Sequence, residues 1–199
     1  MSDFGDISVD LSRILRRGEI EVDSAFTAVP EAPPTVDAEA FKAAMRVLAA
    51  GVVMVTARRN DQLYGLTISA CCSISASPPR VLISLAETAS CLPAVLETRR
   101  FGLSILRNSQ RPLAEFGAVP GGPKEVDAFS ESRDGSVTMI AGALAHLDCA
   151  VHRTFRVSDH VLVIGDVEHA VSVPVDELEE PGPLLYFNRT FHALGEAIE

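Results

Sequence analysis

Apolar runs of strand length recur along this chain, and the long helical crossovers that parallel strands require are missing between them. VVMVTA (52–57) has the β-branched content of a buried strand. Arg58–Gln62 turns the chain, and LYGLTIS (63–69) brings it back. VLISLA (81–86) and FGLSIL (101–106) read as further strands. Ala143, Ala145, Leu147, Cys149 and Val151 alternate with His146, Asp148 and His152, the pattern of a half-buried strand with a polar outer face. VLVIGDVEHAVSV (161–173) follows, with a bend expected at Gly165. After a PGP turn, LLYFNRTFHAL (184–194) supplies the last strand. Strands in this number, closely spaced, predict a mainly β domain: an antiparallel β-barrel with peripheral helices.

The helices expected around it are short. Asp37 is placed to cap one, with Glu39 in its first turn, Phe41, Met45 and Leu48 on one face, and Gly51 at its end. Ser90 is the expected cap of a second, in which Pro93 falls in the tolerant first turn. Ser109 begins a third that runs through Phe116. Residues 117–136, rich in Gly, Pro and charge, read as a long loop, and loops of that length are often functional.

One stretch differs from an ordinary strand. Gly65–Pro79 reads GLTISACCSISASPP, with hydroxyls at Thr67, Ser69, Ser73 and Ser75. In one extended ribbon these alternate positions would share a face, with Ile68 and Ile74 anchoring the other. Pro78 and Pro79 cannot donate to a sheet ladder and end it. The pattern suits a donor-rich ligand site, and equally an edge strand with a polar solvent face.

The 199 residues suffice for one domain plus an appendage. Residues 1–36 form the appendage: Leu11, Ile14 and Leu15 have helical spacing, and AVPEAPPT is an extended linker leading to a domain over 37–199. The arm is too short to fold alone and is expected to serve dimer or partner contacts. The acidic N-terminus lacks the basic-then-apolar order of a secretory signal, and no run approaches membrane-span length, so a cytoplasmic protein with no membrane partner is expected. A net charge of −10 argues against nucleic acid as a partner. Cys71, Cys72, Cys91 and Cys149 form no CxxC pair and no His/Cys spacing for zinc. Vicinal Cys71–Cys72 is open to two readings, a redox pair or small residues packing a strand. No GxGxxG or GxxxxGK[ST] opens a helix, and no GxSxG elbow is present.

Taken in order, FKAAMRVLAAGVVMVTA, GLTISACCSISASPPRVLISL, SCLPAVLETRRFGLSIL, GALAHLDCAV, SDHVLVIGDV and PLLYF resemble the flavin reductase-like family. These are short reductases that supply reduced flavin to two-component monooxygenases. The resemblance spans roughly residues 38–192. It implies an FMN-binding split barrel of antiparallel Greek-key type, a homodimer with flavin near the subunit interface, and NADH or NADPH as co-substrate for reduction of FMN or FAD. A flavin-binding protein without reductase activity, and a flavin-retaining oxidoreductase acting on an organic substrate, are the alternatives.

Residue by residue, the resemblance puts flavin against Thr67, Ser69, Ala70, Cys71, Cys72, Ser73 and Ser75, and against Ser90 and Cys91 in the turn after the third strand. The nicotinamide side maps to Ser158, Asp159 and His160, with His160 the candidate for aligning the nicotinamide. This chain has Ala50, Cys71, Ser104 and Ser158 where the family usually has Thr, an aromatic, Asn and Gly. Hydride passes from nicotinamide C4 to flavin N5 in such enzymes, so the cofactors carry the reaction and the protein aligns them. Arg99 and Arg100, just after the short second helix, are open to two readings, local countercharges for anionic ligands or solvated surface arginines.

Overall fold

The computed structural model describes residues 36–121, 125–126, 129–131, 139–174 and 182–195. The N-terminal arm with its Leu11/Ile14/Leu15 stripe, and part of the 117–136 segment, lie outside the described residues. In chain order the elements are α1 (Ala38–Arg46), β1 (Ala50–Gly51), β2 (Val53–Arg59), β3 (Gln62–Ile68), β4 (Cys71–Ala76) and β5 (Pro79–Ala86). Then come α2 (Leu92–Thr98), β6 (Arg100–Ile105), a 3-10 turn at Asn108–Gln110, and α3 (Arg111–Ala118). Beyond these lie β7 (Ser130–Glu131), β8 (Met139–Ile140), β9 (Ala145–Val157), β10 (His160–Ser172), β11 (Leu184–Phe187) and β12 (Thr190–Ala193).

Seven strands form one antiparallel sheet in the order β3-β2-β6-β9-β10-β5-β4. Its two edges, β3 and β4, are consecutive in sequence and separated only by Ser69 and Ala70. Six inter-strand steps would hold these edges about 29 Å apart if the sheet were flat. Three residue steps from Ile68 to Cys71 span at most about 11 Å. The sheet is therefore rolled, and its seam lies at Ser69–Ala70. This is the antiparallel barrel architecture expected from the strand pattern.

Two cores result. Val53, Val55, Ile83, Leu85, Phe101 and Val163, with Leu92 and Val95 of α2, fill the first. Val52, Met54, Leu63, Leu106, Leu113 and Leu184 make the second, beneath α3 and a small sheet of order β1-β11-β12. β2 is buried on both faces, which is why VVMVTA reads as a continuous apolar run instead of alternating.

Local signals decide several boundaries. Asp37 Oδ1 accepts from the backbone N–H groups of Glu39 (3.0 Å) and Ala40 (2.9 Å), as its position predicts. α1 stops at Arg46 and not at Gly51, because Ala50 and Gly51 leave to pair with Tyr186 and Leu185 of β11. The cap of α2 is Cys91, one residue after Ser90, and it makes no side-chain capping bond. The last apolar run is a hairpin and not one strand. Asn188 (φ 47°) and Arg189 (φ 63°) make the two-residue left-handed turn that matches strand twist.

The polar positions of β9 also differ from expectation. His146 and Asp148 are buried, because both faces of β9 are covered here. His146 Nδ1 lies 3.2 Å from Ser104 Oγ, which also accepts from the Ile140 N–H at 3.1 Å. Both Asp148 oxygens accept from Arg100, at 3.1 and 3.2 Å, and Arg100 reaches Glu168 at 2.6 Å.

The expected bend at Gly165 is present as a register shift between Ile164 and Gly165. A Cβ there would stand 2.5 Å from Phe101 Cζ and 3.0 Å from Cys149 Cβ, and Phe101 is fully buried. Overpacking of this kind costs about 1–3 kcal/mol. Gly165→Ala should lower the urea-unfolding free energy by about that amount. Adding Phe101→Leu should cost less in the Gly165→Ala background than in the wild type, because the two changes share the same space.

Candidate active site at the seam of the barrel

The seam supplies the first part of the site. Cys71 N–H donates to the Ser69 carbonyl (3.1 Å), and Ser84 N–H of β5 donates to the Ala70 carbonyl (3.1 Å). The chain thus passes from the β3 edge to the β5 edge with Ser69 projecting at the crossing. Two clefts flank it. The first, of about 400 Å³, is walled by Val52, Ile68, Val119 and Phe191 and carries Thr67, Ser69 and Glu115. The second, of about 410 Å³, runs between α1 and the β11–β12 hairpin past Ala50, Ser69 and Ala70. Tyr186 and Arg189 line both.

The hydroxyls of Gly65–Pro79 do not share one face, for two reasons. The ribbon breaks at Ser69–Ala70, and β4 carries a bulge between Ser73 and Ser75. Thr67 is opposite Met54 and so faces the second core. Ser73, opposite Val81, is on the barrel side, whereas Ser75 is opposite Arg80 on the outer side. Ser75 is also spent locally on the Pro78 carbonyl. Ile74, expected to anchor the core, falls at the bulge and is 48% exposed. Thr67 Oγ1 is fully buried beside the first cleft and has no hydrogen-bond partner among the described residues.

Cys71 and Cys72 point to opposite sides of β4: Cys71 packs on the first core and Cys72 is exposed. Adjacent residues of a regular strand cannot turn their sulfurs toward each other, so the redox-pair reading does not fit. Cys91 is a fully buried core residue, so its side chain packs the interior and is not open to a ligand.

A second group of candidate residues gathers at the neighbouring strand end. His160 is opposite Ala86, two positions along β5 from Ser84, and Glu87 N–H donates to the Asp159 carbonyl (2.9 Å). The turn 87–91, with Ser90, leaves β5 at the same end. Ser158 adopts φ 54°, a left-handed conformation that costs glycine nothing. Asp159 Oδ1 lies 2.8 Å from His160 Nδ1, and this bond holds the Asp159 carboxyl below its ordinary range. Ser69, Ala70, Cys71, Ser90, Ser158, Asp159 and His160 thus lie toward one end of the β4–β5–β10 surface. Ser73 and Ser75 run away from it along β4.

Arg99 and Arg100 do not serve as free countercharges. Arg100 is held by Asp148 and Glu168, and Arg99 donates to the Val151 carbonyl (2.9 Å). The cation that lines both clefts is Arg189, a residue outside the motifs singled out in the sequence. The signal for it was Asn188–Arg189 between two apolar runs, a two-residue hairpin turn.

A rolled antiparallel sheet with hydroxyl-bearing clefts at its seam defines a small-molecule-binding barrel. The sequence places it further: residues 45–195 match the flavin reductase like domain, and the chain belongs to that family. The reductase component of 4-hydroxyphenylacetate 3-monooxygenase from Thermus thermophilus is 38% identical over 156 residues, covering 78% of this chain and 96% of that one. The NADH flavin reductase of Kitasatospora aureofaciens is 34% identical over 163 residues, covering 80% and 83%. Flavin reductase PheA2, in its native-state structure, superposes with a TM-score of 0.71 at 31% identity, covering 81% of this chain and all of that one. No helix among the described residues is long and apolar enough to cross a membrane.

The thiols give a direct check on this geometry. Burial pushes Cys91 and Cys149 up to about 12, and burial reinforced by neighbouring Cys72 pushes Cys71 up to about 11. Thiolate is the reactive form. Iodoacetamide at pH 8 should therefore alkylate Cys72 first in the native protein, with Cys71, Cys91 and Cys149 modified only after denaturation, as read by peptide mass mapping.

Proposed function

We propose that this protein is an NAD(P)H:flavin oxidoreductase that reduces FMN or FAD and passes the reduced flavin to a partner monooxygenase. The observation that carries the reading is the family membership, with a match that covers 96% of a monooxygenase reductase component and 78% of this chain. The seam fits a flavin chemically. Its walls are largely apolar, Thr67 Oγ1 is a buried hydroxyl without a partner among the described residues, and Ser69 adds an exposed hydroxyl. Bound flavin would supply the acceptor for a hydride from the reduced nicotinamide.

The chain's own residues then have modest tasks. Thr67 and Ser69 hold polar edges, and Val52, Ile68 and Phe191 exclude water. His160, fixed through Nδ1 by Asp159, has Nε2 left to position the nicotinamide. Hydride transfer asks for no side-chain proton in the same step. Homodimerisation belongs to this reading. α1 buries none of its residues, and its Phe41/Met45 stripe, continued by Leu48, is exposed beside the second cleft. A second copy covering that stripe would put the clefts near the subunit boundary. In this reading the N-terminal arm, residues 1–36, serves the same contact or the monooxygenase, and the setting is cytoplasmic.

Steady-state oxidation of NADH and NADPH, with and without added FMN or FAD, tests the proposal. Flavin-dependent turnover is expected with at least one nicotinamide. Background rates under all four combinations would end it.

The role of His160 is separable. His160→Ala should raise the apparent KM for NAD(P)H and lower kcat/KM about tenfold, equivalent to about 1.4 kcal/mol. Flavin affinity by fluorescence titration should stay within about twofold. Unchanged nicotinamide kinetics, or a loss mainly of flavin, would remove His160 from this role.

A further inference from the structure

We infer that the groove between α1 and the β11–β12 turn receives the phosphate of a bound nucleotide, with Arg189 as the recognising cation. The inference rests on the flavin reductase reading and adds to it a residue and a ligand group. The groove departs from the rest of the chain electrostatically. The chain carries 27 acidic and 17 basic side chains. Lys42, Arg46 and Arg189 all line this groove, and no carboxylate among the described residues does. Lys42 and Arg46 both face Glu39, at 2.9 and 3.8 Å. Arg189 differs from them, since no carboxylate among the described residues lies within ion-pair distance of it. An arginine in that state offers its planar fork to a phosphate.

The position of Arg189 is built and not incidental. Asn188 N–H donates to the Arg46 carbonyl at 2.9 Å, tying the hairpin turn to the end of α1. Asn188 and Arg189 both adopt the left-handed conformation that closes the two-residue turn. Tyr186, stacked at a tilt on Phe191 with 5.3 Å between ring centres, supplies an aromatic wall shared by both clefts. Arg189 thus stands where the apolar cleft beneath Thr67 opens into the cationic groove. A ligand with a flat ring and a phosphate-bearing arm matches this succession of surfaces. Two sources carry such a phosphate here, the flavin nucleotide and the nicotinamide dinucleotide. Their shared chemistry is what Arg189 reads.

Equilibrium binding with the full-length chain tests this independently of turnover. Riboflavin and FMN are titrated by flavin fluorescence, and ADP-ribose by calorimetry, against wild type, Arg189→Gln, Arg189→Lys and the distant charge control Arg58→Gln. Arg189→Gln should weaken FMN or ADP-ribose about tenfold while leaving riboflavin within about twofold. Arg189→Lys should recover part of the loss, and Arg58→Gln should match wild type. Raised salt should weaken the phosphate-bearing ligand in wild type and much less in Arg189→Gln. Loss of FMN preference over riboflavin assigns the flavin phosphate, and loss of ADP-ribose assigns the dinucleotide. If Arg189→Gln keeps both affinities, or weakens riboflavin equally, Arg189 is not the receptor. If wild type binds neither riboflavin nor FMN, the flavin reading itself falls and takes this one with it.

Discussion

The structure depends on one chain-length constraint: two residues, Ser69 and Ala70, join opposite edges of a seven-stranded sheet. A sheet that must bring its edges that close cannot stay open. Rolling it creates an interior, and the interior takes Val55, Ile83, Leu85, Phe101 and Val163. Gly165 permits the close approach of β10 to Phe101 that this curvature requires. The seam is where regular pairing gives out, because β3 and β4 face each other without a ladder. A ligand site at that place uses backbone and small side chains that the sheet itself has not consumed.

The outer surface of the barrel is covered in part by α3 and the small sheet, so the fold has a second core. The polar residues buried in β9 are met by side chains of β6, with Ile140 of β8 bound to the same Ser104. His146 and Asp148 pay for desolvation through Ser104 and Arg100, since a buried polar group without a partner costs roughly 1–3 kcal/mol. Ser104 stands where the family usually has Asn. Here it joins β6 to β8 and β9 by meeting the Ile140 N–H and His146 together. The departure is therefore absorbed inside the fold, away from the seam. Ser158 is different, because it occupies a left-handed turn next to Asp159 and His160 without glycine's freedom.

What could be read from the sequence was what local chemistry decides. The Asp37 cap, the bend at Gly165 and the strand identity of VVMVTA each depend on a few adjacent residues. The antiparallel barrel followed from strand spacing. The hydroxyl ribbon failed because its face assignment depends on partners. A bulge opposite β5 moves Ser75 to the outer side, and the seam separates Thr67 from the rest. No alternation in GLTISACCSISASPP records either event. The polar side of β9 was misjudged for the same reason, as the cover over His146 comes from distant segments. Asn188–Arg189 was legible in principle, since a two-residue turn with Asn leading is a local signal. It was hidden by apolar residues on both sides.

The composition of the site bears on how tightly it can hold a flavin. Its polar groups at the apolar cleft are the hydroxyls of Thr67 and Ser69 and the Glu115 carboxylate, already paired with Arg111 at 2.7 Å, and Arg189, without a carboxylate partner among the described residues, stands at the mouth, in reach of solvent screening. Leaving Thr67 Oγ1 unpaired carries a cost on the order of 1–3 kcal/mol, which a hydrogen-bonding ligand would relieve. That gain is modest beside the entropy lost when a small molecule is immobilised. Apolar contact with Val52, Ile68 and Phe191 must then supply most of the remaining affinity, and such contact is available to oxidised and reduced flavin alike. A site of this kind favours exchange over permanent retention. For a reductase that works by handing its product to another enzyme, moderate affinity is part of the function, and a charged, fully paired pocket would work against it.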